Sequence, residues 1–260
     1  FRPFKHNDMN DLEHHLQMAN KERKGGILIV TEGVYGMRGD IADLPAICEL
    51  KEKYGARLLI DDAHGFGVVG ETGRGSGQYF GIQDKIDLYF GTFAKTFAAI
   101  GGVTAGDREP IEYIRYNSRT NVFAKSLPMV YVETLMATLD VIEERPDLRE
   151  RMWKITKMLQ DGLVELGFDI GDTKTPITPV YVPAGSEETA MQMISMLRED
   201  FGVFVSGVTY PVVPRGVVLF RMIPTASHSE EDVKITLDAY KALRDRMKID
   251  LSLKPSTANR

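Results

Sequence analysis

Apolar residues run along this chain in two rhythms. In the first half they form short, nearly unbroken runs: Gly26 to Thr31 (GILIVT), Ala56 to Ile60, and Asp87 to Gly91. Such runs predict strands buried in a parallel sheet. Between them the spacing becomes helical. Met9 to Lys21 predicts a helix with Leu12, Leu16 and Met18 on its apolar side. Asp43-Leu44-Pro45 opens another, with Asp capping free N–H groups and Pro where a missing donor costs nothing. Leu44, Ile47 and Cys48 are its inner face, and Gly55 ends it. Strands alternating with helices predict right-handed βαβ units.

The second half reads differently. Helices are predicted at Pro110–Asn117, Pro128–Glu144 and Asp147–Leu166, then a strand at Thr178–Val182 and a helix at Glu187–Phe201. Strands follow at Val203–Thr209 and Val217–Ile223, and a last helix begins at Ser229, where Ser229 and Asp232 form a capping pair. The expected organisation is a large domain over residues 1–150, a smaller α+β domain over 151–250 and a frayed polar tail over 251–260. The opening Phe1-Arg2-Pro3-Phe4 carries no Met and runs quickly into helical spacing, so the chain reads as part of a longer protein.

Composition narrows the classes. The 260 residues are 43% hydrophobic and 27% charged, with a net charge of −5, which offers no electrostatic footprint for nucleic acid or an anionic membrane. No apolar run reaches the ~20 residues a bilayer span needs. Cys48 is the only cysteine, so there is no disulfide framework and no cysteine metal site, as expected in a reducing cytoplasm.

Candidate chemistry gathers at the C-terminal ends of the three predicted strands, where open α/β sheets bind ligands. The first group is Asp61 with His64, in LLIDDAHG; the second is Thr92 with Lys95, in GTFAK; the third is the loop Glu32-Gly33-Val34-Tyr35-Gly36-Met37. A pyridoxal phosphate cofactor needs this donor set. An amine must hold its aldehyde, a carboxylate must keep its ring nitrogen protonated, and a hydroxyl must meet its phosphate. Lys95, Asp61 and Thr92 supply the three. Strand alternation lets only one of Asp61 and Asp62 face the ring, leaving Asp62 as a capping or supporting carboxylate. A competing motif, Gly65-Phe66-Gly67-Val68-Val69-Gly70, has dinucleotide-binding spacing. It needs a helix to open at its glycines, and Glu71 to Gly77 is too glycine-rich to propagate one. His228 reads as the residue before a helix cap, His14 and His15 as a solvated face, and Met191, Met193 and Met196 as packing.

The stretches EGVYGMRGDIADL, LLIDDAHGFGVVGETGRG and GTFAKTFAAIGG, with YPVVPRG and FRMIPTASH later, resemble the α-oxoamine synthases from about His6 to Met247. These enzymes join an amino acid to an acyl-CoA, most with loss of CO2. The resemblance implies an α/β fold of the PLP fold-type-I aminotransferase kind, here a partial parallel-sheet large domain plus the smaller α+β domain. It implies that Asp61 pairs with the pyridine nitrogen, His64 sits by the ring's phenolic oxygen, and Thr92 binds the phosphate. Lys95 would carry the cofactor and move the α-proton, and Arg221, in Phe220-Arg221-Met222, would grip the substrate carboxylate. Two positions depart from the pattern: Gly36, where Ser is usual, and Ala124 after Phe123, where Ser or Thr is frequent.

Within the family, GTFAKTFAAIGG looks closer to the serine palmitoyltransferases than to members with Gly before the lysine. Glycine C-acetyltransferase and 8-amino-7-oxononanoate synthase are the alternatives, and a non-catalytic partner subunit is the alternative of another class. The resemblance also implies a homodimer and an upstream segment with further cofactor contacts. The 260 residues alone are therefore expected to bind the cofactor poorly and to be inactive.

Overall fold

The computed structural model describes residues 1–183 and 187–253. The described residues divide into two compact units, one of residues 1–35 and 41–146, the other of residues 36–40, 147–183 and 187–253.

Unit 1 holds a four-stranded sheet in the order β1 (Leu28–Glu32), β2 (Arg57–Asp61), β3 (Leu88–Thr92) and β4 (Gly102–Gly106). The first three strands are parallel, as the apolar runs predict. The fourth is antiparallel to β3 and was not expected. Its residues, GVTAG, are too rich in glycine to register as an apolar run; Gly101, at φ +93°, allows the chain to turn into it.

Helices α1 (Met9–Glu22), α2 (Leu44–Tyr54) and α3 (Ser76–Phe80) accompany this sheet. In α2 the Asp43 carboxylate accepts the Ala46 N–H, and Gly55 closes the helix at φ +56°. Leu44, Ile47 and Cys48 are buried, and they pack with Leu58, Ile60, Ile29, Leu12 and Leu16. Met18, expected on the apolar side of α1, is instead exposed, because the helix buries only a narrow stripe. Unit 1 continues through α4 (Arg108–Asn117), α5 (Arg119–Phe123) and α6 (Met129–Glu144), none of which has a buried residue. No helix opens within the Gly65–Gly70 motif, which is made of turns and bends with Phe66 bridged to Arg74.

Unit 2 packs α7 (Pro146–Glu165), α8 (Glu187–Phe201) and α9 (Glu230–Met247) with a three-stranded antiparallel sheet. Its strands are β5 (Thr178–Tyr181), β6 (Ser206–Val208) and β7 (Leu219–Met222), in the order β5-β7-β6. The core centres on Phe220, Tyr240, Leu243 and Leu197. Phe168 meets Tyr240 edge-on at 5.2 Å, and the buried Tyr240 hydroxyl donates to the Met222 sulfur. Met193 belongs to this core while Met191 is exposed. β6 is shorter than the predicted Val203–Thr209, since only Ser206 to Val208 pair with β7. Residues 254–260 of the expected polar tail lie outside the described residues.

The capping pair at α9 forms in full. Asp232 N–H donates to the Ser229 hydroxyl, and Ser229 N–H donates to the Asp232 carboxylate at 2.7 Å. Ser229→Ala is expected to lower stability by about 1 kcal/mol, read from the urea midpoint; an unchanged midpoint would mean the cap contributes nothing.

Candidate active site

Side chains on β2 alternate. Leu58, Ile60 and Asp62 point into the core, and Arg57, Leu59 and Asp61 point to the opposite face. Parallel register sets Asp61 beside Glu32 of β1 and Phe90 of β3. Thr92 lies two residues beyond Phe90, so it shares the Asp61 face. One strand across and two residues along places their backbones about 8 Å apart. That span suits a substituted pyridine with its phosphate arm. Val30 and Phe90 leave an exposed apolar floor on the same face.

Lys95 stands in the turn that follows. The Thr92 hydroxyl donates to Gly101 O and accepts from Ala94 N–H, while Ala98 N–H donates to Lys95 O. These bonds fold residues 92–101 back on themselves and bring Lys95 round after the strand end. Its neighbour Thr96 donates its hydroxyl to Phe66 O at 2.8 Å, tying the lysine turn to the loop that carries His64. The sequence reading did not single out Thr96. Its signal is tertiary, because the threonine methyl lies where any side chain at Gly67 would have to go.

Asp61 is half-buried and accepts from the Ala63 N–H at 3.0 Å. Its neighbour Asp62 is fully buried, as the strand alternation requires. Burial pushes the Asp62 carboxyl up to about 6, against the opposing pull of the Ser76 N–H and with a further push from the like charge of Asp61. Four of the five expected residues lie in unit 1: Asp61 and Thr92 share one face at neighbouring strand ends, and His64 and Lys95 stand on the loops that follow, which the Thr96–Phe66 bond ties together. The donor set, the shared face and the span all fit pyridoxal phosphate. No group of acidic, His or Cys side chains suited to a metal ion is present among the described residues.

Arg221 belongs to unit 2. It lies on β7 opposite Pro179 and Ser206, and its Nε donates to Gly36 O at 2.7 Å. The departure at Gly36 does not disturb this bond, because a backbone carbonyl makes it whatever the side chain. An open cavity of about 330 Å³ adjoins Arg221, with Ser206, His228 and Thr236 among its polar walls and Leu159 and Met222 among its apolar ones. Thr225 N–H donates to His228 Nδ1, so the ring belongs to the turn ahead of α9.

No helix among the described residues is long and apolar enough to cross a membrane. Residues 1–239 match the family model described as aminotransferase class I and II. A cysteate-C-fatty acyltransferase from Capnocytophaga ochracea is 49% identical over 247 residues, 94% of this chain and 59% of that protein. An 8-amino-7-oxononanoate synthase from Thermoanaerobacter pseudethanolicus is 39% identical over 95% of this chain and 61% of its own length. A solved serine palmitoyltransferase from S. paucimobilis with bound PLP–myriocin superposes with a TM-score of 0.88 at 30% identity, over 94% of this chain and 61% of that one. The chain thus spans about three fifths of the length of the relatives it matches.

Proposed function

The chain belongs to the aminotransferase class I and II family, and from that premise we propose that it is part of a pyridoxal-phosphate-dependent α-oxoamine synthase. The full-length enzyme joins a fatty acyl group from acyl-CoA to the α-carbon of a small polar amino acid. The amino acid is L-serine or its sulfonate counterpart cysteate, and the 49% identity to a cysteate-C-fatty acyltransferase favours cysteate. The observation that carries the reading is the shared face of Asp61 and Thr92, with Lys95 on the turn beyond. It works as a homodimer in the cytoplasm.

Bound pyridoxal phosphate supplies the electron sink that makes a carbanion at the α-carbon accessible. Asp61 would place a carboxylate beside the ring nitrogen and so hold its proton. Thr92 would turn its hydroxyl proton from Gly101 O to the phosphate, and His64 would hydrogen-bond at the phenolic oxygen side, orienting the face that meets the acyl donor. Lys95 would hold the cofactor aldehyde, and its amine would serve as the base for the α-proton. Arg221, assigned from its motif, holds the substrate carboxylate with its bidentate fork. The α-carbon then bonds to the thioester carbonyl carbon, CoA departs as the thiol, the carboxyl carbon leaves as CO2, and a proton returns to the α-carbon.

Turnover of the full-length protein with cysteate, serine, glycine and alanine against short and long acyl-CoAs tests this. Cysteate or serine with a long acyl-CoA is expected to release CoA at least ~10-fold faster than glycine or alanine, a discrimination that needs about 1.4 kcal/mol. Activity confined to short acyl chains would overturn the fatty-acyl assignment, and no amino-acid-dependent CoA release would overturn the enzyme reading.

A further inference from the structure

Asp62 is the one acidic side chain fully buried among the described residues, and it adjoins the proposed ring partner. Three stretches of backbone close on its carboxylate: Gly33 at the end of β1, Gly65 beside His64, and Gly75 just before α3. At each of these glycines a methyl group would run into an Asp62 carboxylate oxygen. Only backbone without a side chain can approach so closely. Oδ2 accepts the Ser76 N–H at 2.7 Å, while the main-chain carbonyl of Asp62 accepts from Gly65 at 2.9 Å and Phe66 at 3.1 Å. One residue therefore pins both ends of loop 63–75. Near its start the loop carries His64, and Phe66 O, through Thr96, ties it to the turn of Lys95.

We propose that Asp62 is a positioning residue, whose carboxylate closes loop 63–75 onto Ser76 and thereby sets where His64 stands. A carboxylate is costly to bury away from water, and a core packed only for stability would take an apolar side chain here. Oδ1 makes no hydrogen bond among the described residues, so the site bears that cost to retain the single bond at Oδ2. The inference rests on the assignment of His64 to the cofactor, and the test separates the two.

The test uses the full-length protein with Asp62→Ala and Asp62→Asn, each alone and combined with His64→Ala. The first readout needs no cofactor: amide hydrogen exchange over residues 63–75. Asp62→Ala is expected to speed exchange there roughly tenfold, while Asp62→Asn, which keeps an oxygen for the Ser76 N–H, restores most of the protection. The second is pyridoxal phosphate affinity by absorbance titration. Asp62→Ala is expected to weaken binding roughly tenfold alone and less than about twofold when His64 is already alanine, the coupling expected of a residue acting through His64. Unchanged loop exchange would overturn the proposal, as would an equal loss of affinity in both backgrounds. If the parent protein binds no pyridoxal phosphate, the cofactor reading falls, and the exchange data still decide for or against Asp62.

Discussion

Replacing Lys95 with alanine in the full-length protein is expected to lower kcat/KM by at least about 10³-fold and to remove the absorbance band of lysine-bound cofactor. Two losses coincide in this variant. Under the proposed assignment the amine would be both the attachment point for the cofactor aldehyde and the base that takes the α-proton; a positioned base alone is worth about 10²–10⁴. The geometry supports the assignment, since the Thr92 and Gly101 bonds hold the lysine turn just beyond the strand end that also presents Thr92. Unchanged spectrum and turnover would instead identify a subunit whose lysine has no catalytic role.

The largest stability effect is expected at Phe220. Its ring is fully buried at the centre of β7, among Tyr240, Leu243 and Leu197. Phe220→Ala removes that burial and leaves a cavity which a sheet strand pinned on both sides by β5 and β6 cannot collapse to fill. The expected loss is about 3–5 kcal/mol, read as a fall in the urea midpoint at unchanged slope. A loss below about 1 kcal/mol would show that the core repacks around the vacancy.

The fold is of the fold-type-I aminotransferase kind, and much of it was legible beforehand. The α2 helix was readable to the residue, because its Asp cap, early proline and terminal glycine are local features. The α9 start was readable for the same reason. Local signals failed where structure depends on partners distant in sequence. β4 exists because β3 offers an unpaired edge, and a run as glycine-rich as Gly102–Gly106 carries no strand pattern of its own. Met18 has the right spacing for burial, but the width of the buried stripe is set by what packs on α1. The assignment of residues 36–40 to unit 2 has no sequence signal either, because it comes from bonds to Arg221, Lys174 and Thr175 more than a hundred residues away.

The same division holds for the site and for Lys95. Sequence by itself determined which groups are present: the order Asp61, His64, Thr92, Lys95 is a matter of residue types and spacing, and alternation along one strand already separated Asp61 from Asp62. Only the tertiary structure decided how they are held. The burial of Asp62 among three glycine backbones, its bond to Ser76 and the Thr96 tie to Phe66 each join segments from different loops. Chemistry is written in side-chain identity, which the sequence states directly. Positioning comes from hydrogen bonds and close approach between loops, which exist only once the sheet has brought its strand ends side by side.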